Sequence, residues 1–213
     1  MSELKIEPNE ALTRFLVFSY FGIDIEDKDY QKGDIIGACV RRAYLDMCRT
    51  LRFSSEGKDG GFYNAVAGQL ISAFADEKQS LESKRKNAYD VFFPEQGSPT
   101  KEYFSSQFSC GQAQKWINMT FKYMWLLGLI GPEGLEAPVD RLILEALTKK
   151  DAWEQKTVWS AMDPNTYGDV KQAIADVAKD KTVIEWENNV WIEQAKEEAK
   201  QKKSKEQKNE QRN

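Results

Sequence analysis

The chain has 213 residues, with 30 Lys and Arg against 34 Asp and Glu, and no histidine. Without imidazole there is no His-based acid–base chemistry and a protein zinc site is disfavoured, so an enzyme here must work with Lys, Asp, Glu, Tyr, Cys or Ser. A 41% hydrophobic content is enough for a sizeable core, and a 30% charged fraction with mean hydropathy −0.63 predicts a soluble protein. No apolar run approaches the roughly 20 residues that span a bilayer, and the polar, acidic start "MSELKIEPNE" is unlike a secretory signal. Three cysteines, Cys39, Cys48 and Cys110, lack metal-ligand spacing and read as reduced thiols of a cytoplasmic protein. The net charge is −4; setting aside Lys196–Asn213, at +3, leaves −7 for the rest. Such an acidic body argues against broad, charge-driven nucleic-acid binding, while leaving room for a local basic patch.

In chain order, Pro8 can open a helix carrying Leu12, Phe15, Leu16 and Phe18, followed by the acidic loop "GIDIEDKDYQKGD". From Ile35 to Phe53, Ile36, Cys39, Val40, Ala43, Tyr44, Met47 and Leu51 recur at helical spacing. Arg42, Asp46 and Arg49 share another face and read as an ordinary ion-pair stripe. "SSEGKDGG" is a loop, Phe62–Phe93 one or two helices, and Pro94–Thr100 a break. A helix follows over Gly111–Leu127, then the loop "GLIGPEGLE" and a helix over Pro138–Lys149 with Pro138 at its first position. "DPNTYGD" reads as a break before a helix near Val170–Lys179, and Thr182 with Glu185 makes a capping box for a long last helix. The fold class is therefore all-α, with one domain over 1–195. The tail 196–213 has one apolar residue, Ala199, and reads as frayed or disordered.

The segment "SCGQAQKWINMTFKYMWLLG", Ser109–Gly128, raises the chemical question. Ala113, Trp116, Ile117, Phe121 and Met124 share one side, with Trp125 close by, whereas Lys115, Met119 and Lys122 share another. Lys115 stands near a helix N-terminus, whose dipole disfavours a cation by up to about 1 kcal/mol. Partial burial would add to that effect and favour the free amine that nucleophilic catalysis needs. Asp140 suits a helix start, where a carboxylate is favoured in any case. The plain alternatives are a snorkelling surface lysine and an ordinary helix-start acid. Lys122 and Asn118 read more simply as surface or phosphate-contacting groups. Trp153, Trp159, Trp186 and Trp191 read as core or groove walls, and Cys110 as a buried thiol.

The stretch Cys110–Leu147, "GQAQKWINM…APVDRLILEAL", resembles the catalytic segment of the helix-hairpin-helix DNA glycosylase superfamily, in particular its 8-oxoguanine glycosylase branch. The resemblance rests on a hairpin glycine, Gly111, on a lysine opening a helix, Lys115, and on Pro138-Val139-Asp140 opening the next. It implies an all-helical fold and base excision, with Lys115 as the Schiff-base nucleophile and Asp140 as its carboxylate. It further implies substrate contacts from Gly111, Gln112, Trp116, Asn118 and Lys122, with Trp116, Trp125 or Phe108 stacking on a flipped purine. No metal or organic cofactor is implied. The partner would be a nucleic acid or nucleotide. The hairpin departs from the family pattern, with Gln112, Ala113 and Gln114 after a single glycine, and Arg141 follows Asp140 with no histidine beyond. Reduced bacterial proteins of this kind, some near antiphage defence genes, suggest the other reading: a non-catalytic helical module that binds a nucleotide or a protein partner.

Overall fold

The computed structural model describes residues 10–24, 29–51, 61–93, 108–154 and 156–210. Among them there are eight α-helices and no strand: α1 (Glu10–Phe21), α2 (Lys32–Met47), α3 (Gly61–Ala75), α4 (Leu81–Phe92), α5 (Cys110–Leu126), α6 (Arg141–Lys149), α7 (Pro164–Ala178) and α8 (Val183–Glu210). The fold is all-helical, as its patterning predicts. No helix among the described residues is long and apolar enough to cross a membrane. The chain divides into two compact units, Met1–Gln107 and Phe108–Asn213. The divide follows a stretch whose Pro94, Gly97 and Pro99 interrupt the helical pattern.

The first unit holds α1 to α4. Ile36, Cys39, Val40, Ala43 and Met47 of α2 are buried, as are Phe62, Val66, Leu70 and Phe74 of α3. Each large side chain so buried contributes about 1.5–3 kcal/mol. The sequence pattern predicts one helix over Ile35–Phe53, but α2 starts at Lys32 and ends at Met47. The Asp34 carboxylate accepts the Gln31 amide at 2.9 Å, which anchors the earlier start. At the other end the Thr50 hydroxyl donates to the Met47 carbonyl at 2.8 Å, and a 3-10 turn, Cys48–Thr50, takes over. Arg42 pairs with Asp46 at 3.1 Å, while Arg49 lies in that turn. The run Phe62–Phe93 splits into two helices because Ser80 caps α4, accepting the Ser83 amide at 3.2 Å. Phe15, Leu16 and Phe18 of α1 are exposed.

In the second unit α5 is buried along nearly its whole length, on its lysine-bearing face as well as its apolar one. Gly128 ends it at φ +74°, a conformation that suits glycine. Three boundaries differ from the sequence reading, two of them for a capping reason. Helix α6 begins at Arg141, with Asp140 as N-cap and Pro138 two residues outside. Helix α7 begins at Pro164, because Asp163 accepts the Asn165 and Thr166 amides at 2.8 and 2.9 Å. Helix α8 continues to Glu210 instead of fraying at 196. Its Ala, Lys, Glu and Gln residues favour helix, and α6 holds its middle through Arg141–Glu198, Lys149–Glu197 and Lys149–Gln194.

The N-terminus of α5 is closed by the 3-10 turn Trp159–Ala161. The Gly111 amide donates to the Met162 carbonyl at 3.0 Å, and the Ser109 hydroxyl donates to the Ser160 carbonyl at 2.7 Å. A Cβ on Gly111 would lie 1.8 Å from the Trp159 carbonyl oxygen. Gly111→Ala should therefore destabilise the protein by about 2–4 kcal/mol, read as a shift in urea midpoint; a change below roughly 0.5 kcal/mol would show that the turn does not press on α5.

Candidate active site

Two side chains of α5 fix the non-helical segment that leads to Asp140. The Gln114 amide group addresses Val139 twice, accepting its N–H at 3.0 Å and donating to its carbonyl at 2.8 Å. One turn on, Asn118 donates to the Ala137 carbonyl at 3.2 Å and to the Tyr167 hydroxyl at 2.8 Å. That hydroxyl donates to Glu136 at 2.8 Å, and Lys171 holds the other Glu136 oxygen at 2.7 Å. Residues 136–139 are thus tied to α5 and α7 by polar side chains, which satisfies the Ala137 carbonyl and both backbone groups of Val139 in a stretch that forms no helix. Neighbouring residues on one helix, Gln114 and Lys115, therefore hold the backbone before Asp140 and meet its side chain.

The meeting is direct. Lys115 Nζ lies 2.9 Å from Asp140 Oδ2, with the two side chains 7% and 17% exposed. Trp191 Nε1–H of α8 donates to the same oxygen at 3.1 Å, and Asp140 Oδ1 accepts the Ile143 amide at 3.2 Å as the cap of α6. Burial alone would push the Asp140 carboxyl up. The charge and hydrogen bond of Lys115, with the Ile143 amide and the Trp191 indole, overcome it and hold the group below the ordinary aspartate range. Asp140 is therefore a firmly ionised carboxylate.

A second pair lies beside the first. Lys122, two turns along α5, donates to Glu187 Oε2 of α8 at 2.7 Å. Glu187 is fully buried, and its Oε1 has no hydrogen-bond partner. Burial pushes its carboxyl above the ordinary glutamate range, against the opposing charge of Lys122 and, more weakly, of Lys115; Asp140 adds to the upward push. Trp191 joins the pairs: its indole N–H reaches Asp140, and Lys122 Nζ stands 5.9 Å from its ring centroid.

No protein-family model, curated protein or solved structure matches the chain.

The residues singled out by sequence do not share one place. Lys115 and Asp140 meet, and Lys122 stands beside them, buried against Glu187 rather than at the surface. Asn118 is fully buried beneath Ala137, in a positioning role. Gly111 and Gln112 form the closed start of α5, where Gln112 reciprocates the Ser109 cap at 3.0 and 3.1 Å. The Gly111 amide is engaged by Met162 and does not face outward to a phosphate. Trp116 is fully buried and Phe108 nearly so, so neither presents a stacking face, and Trp125 is half-buried. Trp191, 39% exposed, is the aromatic that borders Asp140. Cys110 is buried, and burial, with Asp163 and Glu136 nearby, pushes its thiol up to about 11, which disfavours a thiolate nucleophile.

Sequence reasoning gave no role to Gln114 or Glu187, and read Trp191 only as a core or groove wall. A signal for Glu187 exists: it stands at helical spacing between Ile184 and Trp191, an acid on an apolar stripe.

The two carboxyls give opposite pH signatures. Asp140 contributes stability that is present above its ordinary range and lost as pH falls through its lowered folded value; Glu187 contributes stability below its ordinary range, lost as pH rises through its raised one. Asp140→Asn should thus be less stable than wild type by about 3 kcal/mol near neutrality, with the gap narrowing only in strong acid. Urea melts across pH check this; a gap that closes at or above the ordinary aspartate range would refute the assignment.

Proposed function

We propose that Lys115 is a Schiff-base nucleophile with Asp140 as its carboxylate, and that the protein acts as a glycosylase and lyase on a damaged or modified purine nucleotide. The observation that carries this reading is the 2.9 Å contact between a nearly buried lysine and a carboxylate held ionised by a helix cap and an indole N–H. The resemblance around Lys115 and Pro138-Val139-Asp140 points to the same chemistry.

The Lys115 amine, once free of its third proton, adds to C1′ of the sugar. The glycosidic electron pair leaves with the base, which then takes a proton. Opening of the sugar ring gives the Schiff base, and loss of a C2′ proton expels the 3′-phosphate. Asp140 stabilises the cation that develops at C1′. Trp191, beside Asp140 and partly exposed, is the residue placed to stack on a purine. The closed start of α5 and a body of net −7 favour a nucleotide or a single-stranded end over a long duplex.

A second reading, a nucleotide-binding module without catalysis, is favoured by one observation: the pair is already satisfied, with Asp140 Oδ2 shared between Lys115 and Trp191. Borohydride trapping separates the two, using abasic and 8-oxoguanine oligonucleotides, single- and double-stranded, and the free nucleotide. The enzyme reading expects a covalent adduct that falls by more than about 10³-fold in Lys115→Gln and about 10²-fold in Asp140→Asn. Binding without any adduct would establish the module instead.

A further inference from the structure

Lys115 and Lys122 share a face of α5, and Asp140 and Glu187 answer them one for one. The cluster therefore holds two cations and two anions. The two acids are not equivalent. Asp140 accepts three hydrogen bonds and caps a helix, whereas Glu187 accepts one, from Lys122, and leaves Oε1 bare inside the protein. Two carboxyls whose surroundings separate them this way divide the labour of acid–base chemistry, one staying ionised and the other carrying the proton.

We propose that Glu187, acting through Lys122, sets the protonation of Lys115: when Glu187 takes a proton, the Lys122 charge is left unbalanced and Lys115 is driven to the free amine. One proton moving from the Lys115 ammonium to the Glu187 carboxylate leaves Lys122 and Asp140 as the charged pair, so the cluster is neutral before and after. It then carries one buried cation and one anion instead of two of each, which lowers the desolvation penalty. The charged groups that act on Glu187 include Lys122 and Lys115 from α5 and Asp140 from the start of α6. The transfer is an equilibrium and requires only that the groups feel one another's charge. A second cation beside a reactive lysine is a recognised way to free its amine. Glu187 is in this sense a positioning residue, since it acts on the nucleophile and not on the substrate.

This inference rests on the reading of Lys115 as the reacting amine, but it can be tested without nucleic acid. The probe is glyceraldehyde with cyanoborohydride, and the readout is the rate of adduct formation on Lys115, followed by peptide mass. Glu187→Gln mimics the protonated acid and should raise that rate about tenfold, the effect of one charge at ~10 Å in an effective dielectric near ~20. Lys122→Met removes the main charge that keeps the buried Glu187 ionised, so both charges are lost together and the rate should not rise. The double variant should return to within about twofold of wild type.

Because either single variant can fail to fold, the pH profiles of wild type and the double variant decide independently. The wild-type rate should fall on acidification, level over about one pH unit as Glu187 takes its proton above the ordinary glutamate range, and fall again. The double variant should decline without that step. A slower or unchanged rate in folded Glu187→Gln, or the same profile in both proteins, would overturn the proposal, as would the absence of any Lys115 adduct. An aldehyde adduct on Lys115 with none from any oligonucleotide or nucleotide would defeat the proposed function and leave the charge coupling standing.

Discussion

An ammonium group buried on a central helix has to be met by an anion, and α5 carries two. Breaking such a pair by removing one partner costs about 3–5 kcal/mol, because a bare charge is left in a poor solvent for it. Much of the second unit can be read as the means of delivering those anions. Asp140 reaches Lys115 because Gln114 and Asn118 hold the backbone of Val139 and Ala137 against α5. Glu187 reaches Lys122 because α8 packs along α6 and is tied to it by Arg141 and Lys149. A well-packed apolar cluster would serve stability equally well, so folding alone does not require four charges here.

The two pairs differ in how they hold their carboxyls. Asp140 is fastened by a helix amide, an indole and an ammonium, all of which favour its ionised form. Glu187 is buried with one oxygen unpartnered, which favours its neutral form. Trp191 touches both halves of the cluster and is the part of it most open to solvent. In the proposed mechanism, substrate contact, charge stabilisation and proton balance would fall to different side chains within one small region.

Much of this was legible in the sequence, for identifiable reasons. Helices with apolar faces at three-four spacing, such as α2 and α5, announce themselves because periodicity is local. Lys115 stood out because a helix start is the wrong end for a cation, and Asp140 because it follows Pro138 at the start of the next helix. Other features depend on contacts between distant residues. Pro138 reads as the first residue of a helix, yet Asp140 takes the cap because Gln114 engages both the N–H and the carbonyl of Val139. Gly111 resembles a phosphate-binding glycine, but its amide and its bare α-carbon face residues about fifty positions away. Glu187 is one glutamate among many in a charged helix, and only its place on the Ile184–Trp191 stripe marks it as buried.

The central claim is that the Lys115 amine, and not its neighbour Lys122, forms the covalent bond to the sugar. Peptide mapping of the protein reduced in the presence of an abasic single strand tests this most directly. The account predicts the sugar-phosphate mass on the peptide bearing Lys115, at that residue alone. The same mass on Lys122 or on a surface lysine of α8 would contradict it.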